Sequence, residues 1–130
     1  MVRYINVKSK SRVEFIDVTG IVQETVKEAG VQDGICHLYV PHTTAGITIN
    51  EGADPSVQRD IQNALSKVAP QDVTYFHREG NADAHINSTL VGTSVHVIVD
   101  GGKLLLGTWQ SIFFCEFDGP RHRRIAIKFA

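Results

Sequence analysis

The sequence predicts an α+β fold: a mostly antiparallel, two-layered sheet of about eight strands, carrying two main helices. Three observations point there. Short runs in which apolar and polar residues alternate recur between turn signals, as where Cys36, Leu38 and Val40 alternate with His37 and Tyr39. Apolar residues recur at helical spacing over any length in only two stretches. No repeat, linker or low-complexity segment divides the 130 residues, so residues 1–130 read as one domain, long enough to bury a core.

The elements follow in order. Residues 3–8 and 12–18 read as strands around the polar turn Ser9-Lys10-Ser11, with Val13 and Phe15 alternating against Arg12 and Glu14. Thr19 can cap a helix over 20–29, where Val22, Val26 and Ala29 recur and Gly30 stops the run. Residues 35–41 form a strand, and 46–50 alternates again, Ile47 and Ile49 against Thr48 and Asn50. Asp54-Pro55 starts a second helix, a capping carboxylate followed by proline at the first helical position. Val57, Ile61, Ala64, Leu65 and Val68 share one face of it, and Pro70 closes it. Residues 73–77 read as a short strand, and 84–90 as a brief helix ending near Gly92. Residues 94–100 alternate into the Gly101-Gly102 hairpin turn and a strand over 103–106. Strands over 111–118 and 124–129 flank the turn Asp118-Gly119-Pro120.

Composition excludes several classes. Thirteen basic against fourteen acidic residues leave no general nucleic-acid footprint. No apolar run approaches the roughly 18 residues that span a bilayer, and the N-terminus lacks a signal-peptide apolar region, so a soluble cytoplasmic protein without membrane contact is expected. Cys36 and Cys115 lie in apolar, strand-like contexts and read as small buried hydrophobes; no Cys-x-x-Cys pair exists.

Chemistry-capable side chains concentrate between residues 42 and 85, in His42-Thr43-Thr44 through Asn50-Glu51 and Asp54, and in His77-Arg78-Glu79-Gly80-Asn81-Ala82-Asp83-Ala84-His85. The two segments read as halves of one site. Imidazoles are common ligands of zinc-like ions, so His42, His77 and His85 are candidate metal ligands. Their spacing follows no His-Glu-x-x-His pattern, which leaves a metal-free catalytic cluster and plain structural roles open beside the metal site. Asp54 is accounted for as a helix cap. Glu51 and Asp83 are the general-base candidates, and in an extended segment Asp83 would share a face with His85 and orient it. Thr43, Thr44, Gly46, Ser88 and Thr89 offer hydroxyls and open backbone to phosphate oxygens, and Arg121 offers a guanidinium that matches phosphate. Glu116, inside an apolar strand, must face a site, a basic partner or a subunit interface. His37 and His96 read as structural. Trp109, Phe113 and Phe117 supply more apolar surface than one small sheet hides, which suggests subunit association.

The segments Pro41-His42-Thr43-Thr44-Ala45-Gly46-Ile47-Thr48-Ile49-Asn50-Glu51, Glu79-Gly80-Asn81-Ala82-Asp83-Ala84-His85, Leu106-Gly107-Thr108-Trp109-Gln110 and Phe114-Cys115-Glu116-Phe117-Asp118-Gly119-Pro120-Arg121 resemble the YjbQ family. The resemblance implies an α+β fold built on an antiparallel β-sandwich of about seven to nine strands with two main helices, assembled as a homotrimer with sheets packed around the threefold axis. It also implies a weak, secondary thiamine-phosphate synthase activity, in which a thiazole phosphate displaces pyrophosphate from a hydroxymethylpyrimidine diphosphate. Joined to the residues above, it gives His42, Glu51, Asp83 and His85 as catalytic candidates. Thr43, Thr44, Asn50, Asn81, Gln110, Glu116 and Arg121 become substrate contacts for a small, phosphorylated molecule. A divalent cation, zinc-like from the histidines or magnesium from the oxygen ligands, would steady the leaving group. A hydrolase or lyase acting on another phosphorylated or carboxylated molecule, and a non-enzymatic trimeric binding module, are the alternatives. Two positions depart from the family pattern, Ser111 in place of glycine and Asn87 in place of lysine, both expected at a site rim.

Overall fold

The computed structural model describes residues 1–130, folded as two antiparallel sheets face to face with three helices. The strands are β1 (Arg3–Lys8), β2 (Glu14–Asp17), β3 (Asp33–Tyr39), β4 (Ala45–Glu51), β5 (Ser94–Asp100), β6 (Lys103–Leu104), β7 (Gln110–Glu116) and β8 (His122–Phe129). The helices are α1 (Thr19–Ala29), α2 (Pro55–Val68) and α3 (Ala82–Val91). One sheet has the order β1-β8-β3-β5-β6 and the other β2-β7-β4.

Period-two alternation decides which side chains enter the space between the sheets. Ile5 and Val7, Cys36 and Leu38, Val97 and Val99, and Ile125 and Ile127 come from the larger sheet. Ala45, Ile47, Ile112 and Phe114 come from the smaller, and Val22 and Val26 of α1 close the end. Strand β7 is apolar on both faces because both are covered: its other face, with Phe113 and Cys115, packs with Phe117 and Ala84 of α3. The expectation that Phe113 and Phe117 seek a second subunit is therefore corrected. The chain's own helices bury both, and only Trp109, 64% exposed, remains outside.

Asp54 caps α2 as the sequence indicates, its Oδ1 accepting from the Ser56 N–H at 3.0 Å, with Pro55 at the first position. Thr19 departs from the capping role. It sits inside α1, and its Oγ1 accepts from the Ile112 N–H, tying the helix to β7. The strand expected over 73–77 does not form. The segment pairs with neither sheet and runs as turns, held in part by the Tyr75 hydroxyl donating to the Pro70 carbonyl. Residues 82–91 form a full helix where a brief one is expected. No helix is long and apolar enough to cross a membrane.

The junction of α3 with β4 positions everything that follows. The Gly92 carbonyl accepts from the Ile47 N–H at 3.0 Å, and the Ser88 hydroxyl donates to the Ala45 carbonyl at 2.6 Å. Gly46 makes this approach possible: a Cβ there would stand 2.6 Å from the Gly92 oxygen and 3.1 Å from Val91.

Candidate functional site

His42 follows β3, where Pro41 ends the strand and the chain turns toward β4. His85 lies on α3, one turn before Ser88 and Thr89. The α3–β4 contact brings these segments together, and an open cleft lies between them. One lobe, about 610 Å³, is lined by Tyr39, Val40, Ser88, Thr89, Gly92 and Thr93. The other, about 500 Å³, contains His77, Glu79, Asn81, Asp118, Arg121 and Arg123. Both lobes share Pro41, His42, Thr43 and His85. One lobe carries no fixed charge and the other carries the site's ion pairs.

Beneath the charged lobe lies a buried network that explains Glu116. Its carboxylate is fully buried and accepts from Arg123 Nε at 2.9 Å and Nη2 at 2.5 Å, from the Ser9 hydroxyl at 2.6 Å, and from the Asp118 N–H at 3.0 Å. Burial pushes the carboxyl's pKa up, but those donors outweigh it and hold the group below its ordinary value. Arg123, 7% exposed, also donates from Nη2 to Thr44 Oγ1 at 2.8 Å. Glu116 thus meets a basic partner, one of the three roles expected of it, and its carboxylate is committed to Arg123, Ser9 and Asp118. Arg123 is the group sequence reading missed. Its signal was available: it precedes Ile125 and Ile127 on the inward face of β8, where an arginine needs a buried carboxylate.

His42 is held by the backbone. Its Nε2 accepts from the Arg124 N–H at 3.1 Å, so its proton sits on Nδ1. Burial, and then the charge of Arg123, lower its pKa, which leaves a neutral imidazole. The His77 and His85 rings meet edge to face with centroids 5.2 Å apart, and His77 Nε2 lies 3.8 Å from Glu79. Asn81 donates to Asp118 Oδ2 at 2.8 Å, and Arg121 donates to the same oxygen at 2.9 Å.

The remaining candidates lie elsewhere. Asp83 is on a helix, not an extended segment, so it does not share a face with His85. Both its oxygens are taken by Arg12, each at 3.0 Å, on the wall of a separate cavity of about 160 Å³ behind α3. That pairing removes it as a free general base. Glu51 and Asn50 end β4, which at ~3.3 Å per residue puts Glu51 roughly 20 Å along the strand from Ala45. Gln110 is opposite Glu51 in the register. These three make local turn contacts: Glu51 Oε2 accepts from the Ala53 N–H, Asn50 Oδ1 from the Glu51 N–H, and Gln110 Oε1 from the Gly107 N–H. The two sequence segments therefore meet only in part: His42, Thr43 and Thr44 join His77, Glu79, Asn81 and His85 in the cleft, while Asn50, Glu51 and Asp83 lie outside it. Ser111 pairs with Asn50 at that far end, and Asn87 lines the cavity behind α3, so neither family departure touches the cleft.

The metal site expected from His42, His77 and His85 does not fit this arrangement. No three His, Cys, Asp or Glu side chains converge to hold an ion. His42 spends its Nε2 lone pair on a backbone N–H, and ligation through Nδ1 would require that bond to break. Cys36 and Cys115 are free, buried thiols; burial pushes Cys36 up to about 11 and raises Cys115 further, so neither supplies a thiolate. His37 and His96 face each other across β3 and β5 on the exposed side of the larger sheet.

Comparison with known proteins places this geometry among relatives. A UPF0047 protein of Methanocaldococcus jannaschii is 55% identical over 122 residues, covering 94% of this chain and 88% of that one. The UPF0047 protein YugU of Bacillus subtilis is 49% identical over 129 residues, 98% of each chain. A crystal structure of an uncharacterised YjbQ/UPF0047 protein from Clostridium acetobutylicum superposes with a TM-score of 0.95 at 50% identity, covering 98% of this chain and 99% of that one. A YbjQ-like protein of unknown function from Sulfolobus solfataricus gives 0.94 at 33% identity, covering 99% and 95%. Residues 3–130 match the family described as UPF0047 protein YjbQ-like, and the chain belongs to that family.

Proposed function

We propose that the cleft binds a small phosphorylated or carboxylated molecule, and that His42 and His85 act on a bond held where its two lobes meet. One observation carries the reading: one lobe holds the charges, Arg121 and Arg123 beside Asp118 and Glu79, the other is uncharged, and both histidines stand on the shared wall. Guanidinium edges and the His42 Nδ1–H would hold anionic oxygens. His42, kept neutral, is a hydrogen-bond donor to developing negative charge, and His85 is the proton-transfer group. Thiamine-phosphate synthesis would be a secondary reaction of this cleft, with the leaving pyrophosphate against the arginines. The test is turnover of a phosphate-ester and diphosphate panel by the wild type and by His85→Gln. Loss of about 10²–10⁴-fold in turnover, with ligand affinity within a few-fold, is expected of a proton-transfer residue. Unchanged turnover would remove His85 from the chemistry, and saturable binding without any turnover would favour a binding module.

A homotrimer is part of the same proposal. The outer face of the five-stranded sheet has no covering helix and exposes Tyr4, Ile35, Tyr39 and Ile98. Tyr39 also lines the uncharged lobe, so a subunit seated on this face would border the cleft. Sedimentation of wild type and Ile98→Asp checks it: a trimer that dissociates on substitution supports the face, and a wild-type monomer at micromolar concentration overturns it.

A further inference from the structure

We infer that the uncharged lobe takes the hydroxylated body of the ligand, which makes the substrate class a phosphorylated polyol or sugar. This rests on the anion-binding reading of the charged lobe and deepens it. The lobe's hydrogen-bonding capacity is unusually specific in direction. Ser88 spends its hydroxyl proton on the Ala45 carbonyl at 2.6 Å, and Thr89 spends its own on the His85 carbonyl at 3.0 Å. Both hydroxyl oxygens are left as acceptors only. Thr43, Thr93 and Tyr39 add hydroxyls that can rotate to give or to take a bond.

A ligand body that satisfies such a wall must itself carry donors, and aliphatic hydroxyls do so while also accepting. A planar heterocycle needs two apolar or aromatic walls to lie between. Here Val40 and Pro41 supply aliphatic surface and Tyr39 the one aromatic ring apart from the imidazoles, so the lobe favours a hydroxylated body and holds a heterocyclic one only weakly, as a secondary reaction requires. The fixed charges are confined to the other lobe. Its anchor points are therefore separated from the hydroxyl wall by His42 and His85, which suits a molecule with an anionic group at one end and hydroxyls at the other.

The experiment compares three probes by calorimetry on the full chain: inorganic phosphate, glycerol 3-phosphate and phenyl phosphate. Glycerol 3-phosphate should bind about tenfold or more tightly than inorganic phosphate, the gain expected of two or three added hydrogen bonds. Phenyl phosphate should show no such gain. Thr89→Val and Thr93→Val should each reduce the ratio of glycerol 3-phosphate to phosphate affinity several-fold. Phenyl phosphate binding as tightly as glycerol 3-phosphate, or no gain from the glycerol body, would overturn the substrate class while leaving the anion site standing. Absence of binding by all three probes at millimolar concentration would overturn both.

Discussion

Replacing Glu116 by leucine should cost this protein a large share of its stability. The carboxylate is fully buried, and its removal leaves Arg123, 7% exposed, without a counter-charge. Breaking a buried ion pair from one side costs about 3–5 kcal/mol. The Asp118 N–H loses its acceptor too, and the Ser9 hydroxyl is left with only the Arg121 carbonyl at 3.2 Å, adding roughly 1–2 kcal/mol. The double substitution Glu116→Leu with Arg123→Met removes the stranded charge and retains only the second cost. It should therefore be more stable than the single variant by about 3 kcal/mol. Urea unfolding at pH 7 and fixed protein concentration reads this as a midpoint lowered by about 2–3 M for the single variant, at a slope of ~2 kcal/mol per molar. Should the single variant not fold, Glu116→Gln tests the same pair more gently. The pH dependence has a fixed sign. Because the folded carboxyl is held below its ordinary value, its contribution is complete above about pH 4.5 and is lost as pH falls through the folded value. The glutamine variant should lose less stability than wild type over that range. A single variant within about 1 kcal/mol of wild type, or a double variant no better than the single, would refute the network as described.

Two further outcomes are expected. Gly46→Ala forces a Cβ against the Gly92 carbonyl at the α3–β4 junction, so it should destabilise by about 1–3 kcal/mol and weaken phosphate binding together, both readable on one preparation. Prolonged dialysis against a strong chelator should leave phosphate affinity within twofold, because His42 is committed to the Arg124 N–H and no three ligands converge; a collapse of affinity restored by zinc would contradict this.

The fold was legible wherever short-range physics decides it. Asp54-Pro55 acts on its own first turn, Gly101-Gly102 closes a hairpin between neighbours, and the alternation of 35–41 needs only a core on one side. The site was less legible, because its geometry depends on how segments cross. Asn50 and Glu51 follow His42 closely in sequence, yet an extended strand carries them to the opposite end of the sheet. Asp83 and His85 share a face only if the backbone is extended, and helix formation from Ala82 turns Asp83 toward Arg12 instead. Arg123 reaches Glu116 across the sandwich after the chain turns at Gly119-Pro120, a pairing no local pattern displays. The demand for that pairing was visible, since a lone glutamate in Ile112-Phe113-Phe114-Cys115-Glu116-Phe117 requires a cation. Phe113 and Phe117 find their cover within the chain, against Phe15, Leu65, Ala84 and Val91, a meeting of distant segments that no local pattern displays.

The most direct measurement is a backbone and side-chain NMR titration of the full chain with inorganic phosphate. Shifts at His42, Thr43, His85, Arg121 and Arg123, with Asn50, Glu51 and Gln110 unmoved, are the expected result. Shifts centred on Glu51 and Gln110, or none at the histidine cleft, would contradict the assignment of this cleft as the functional site.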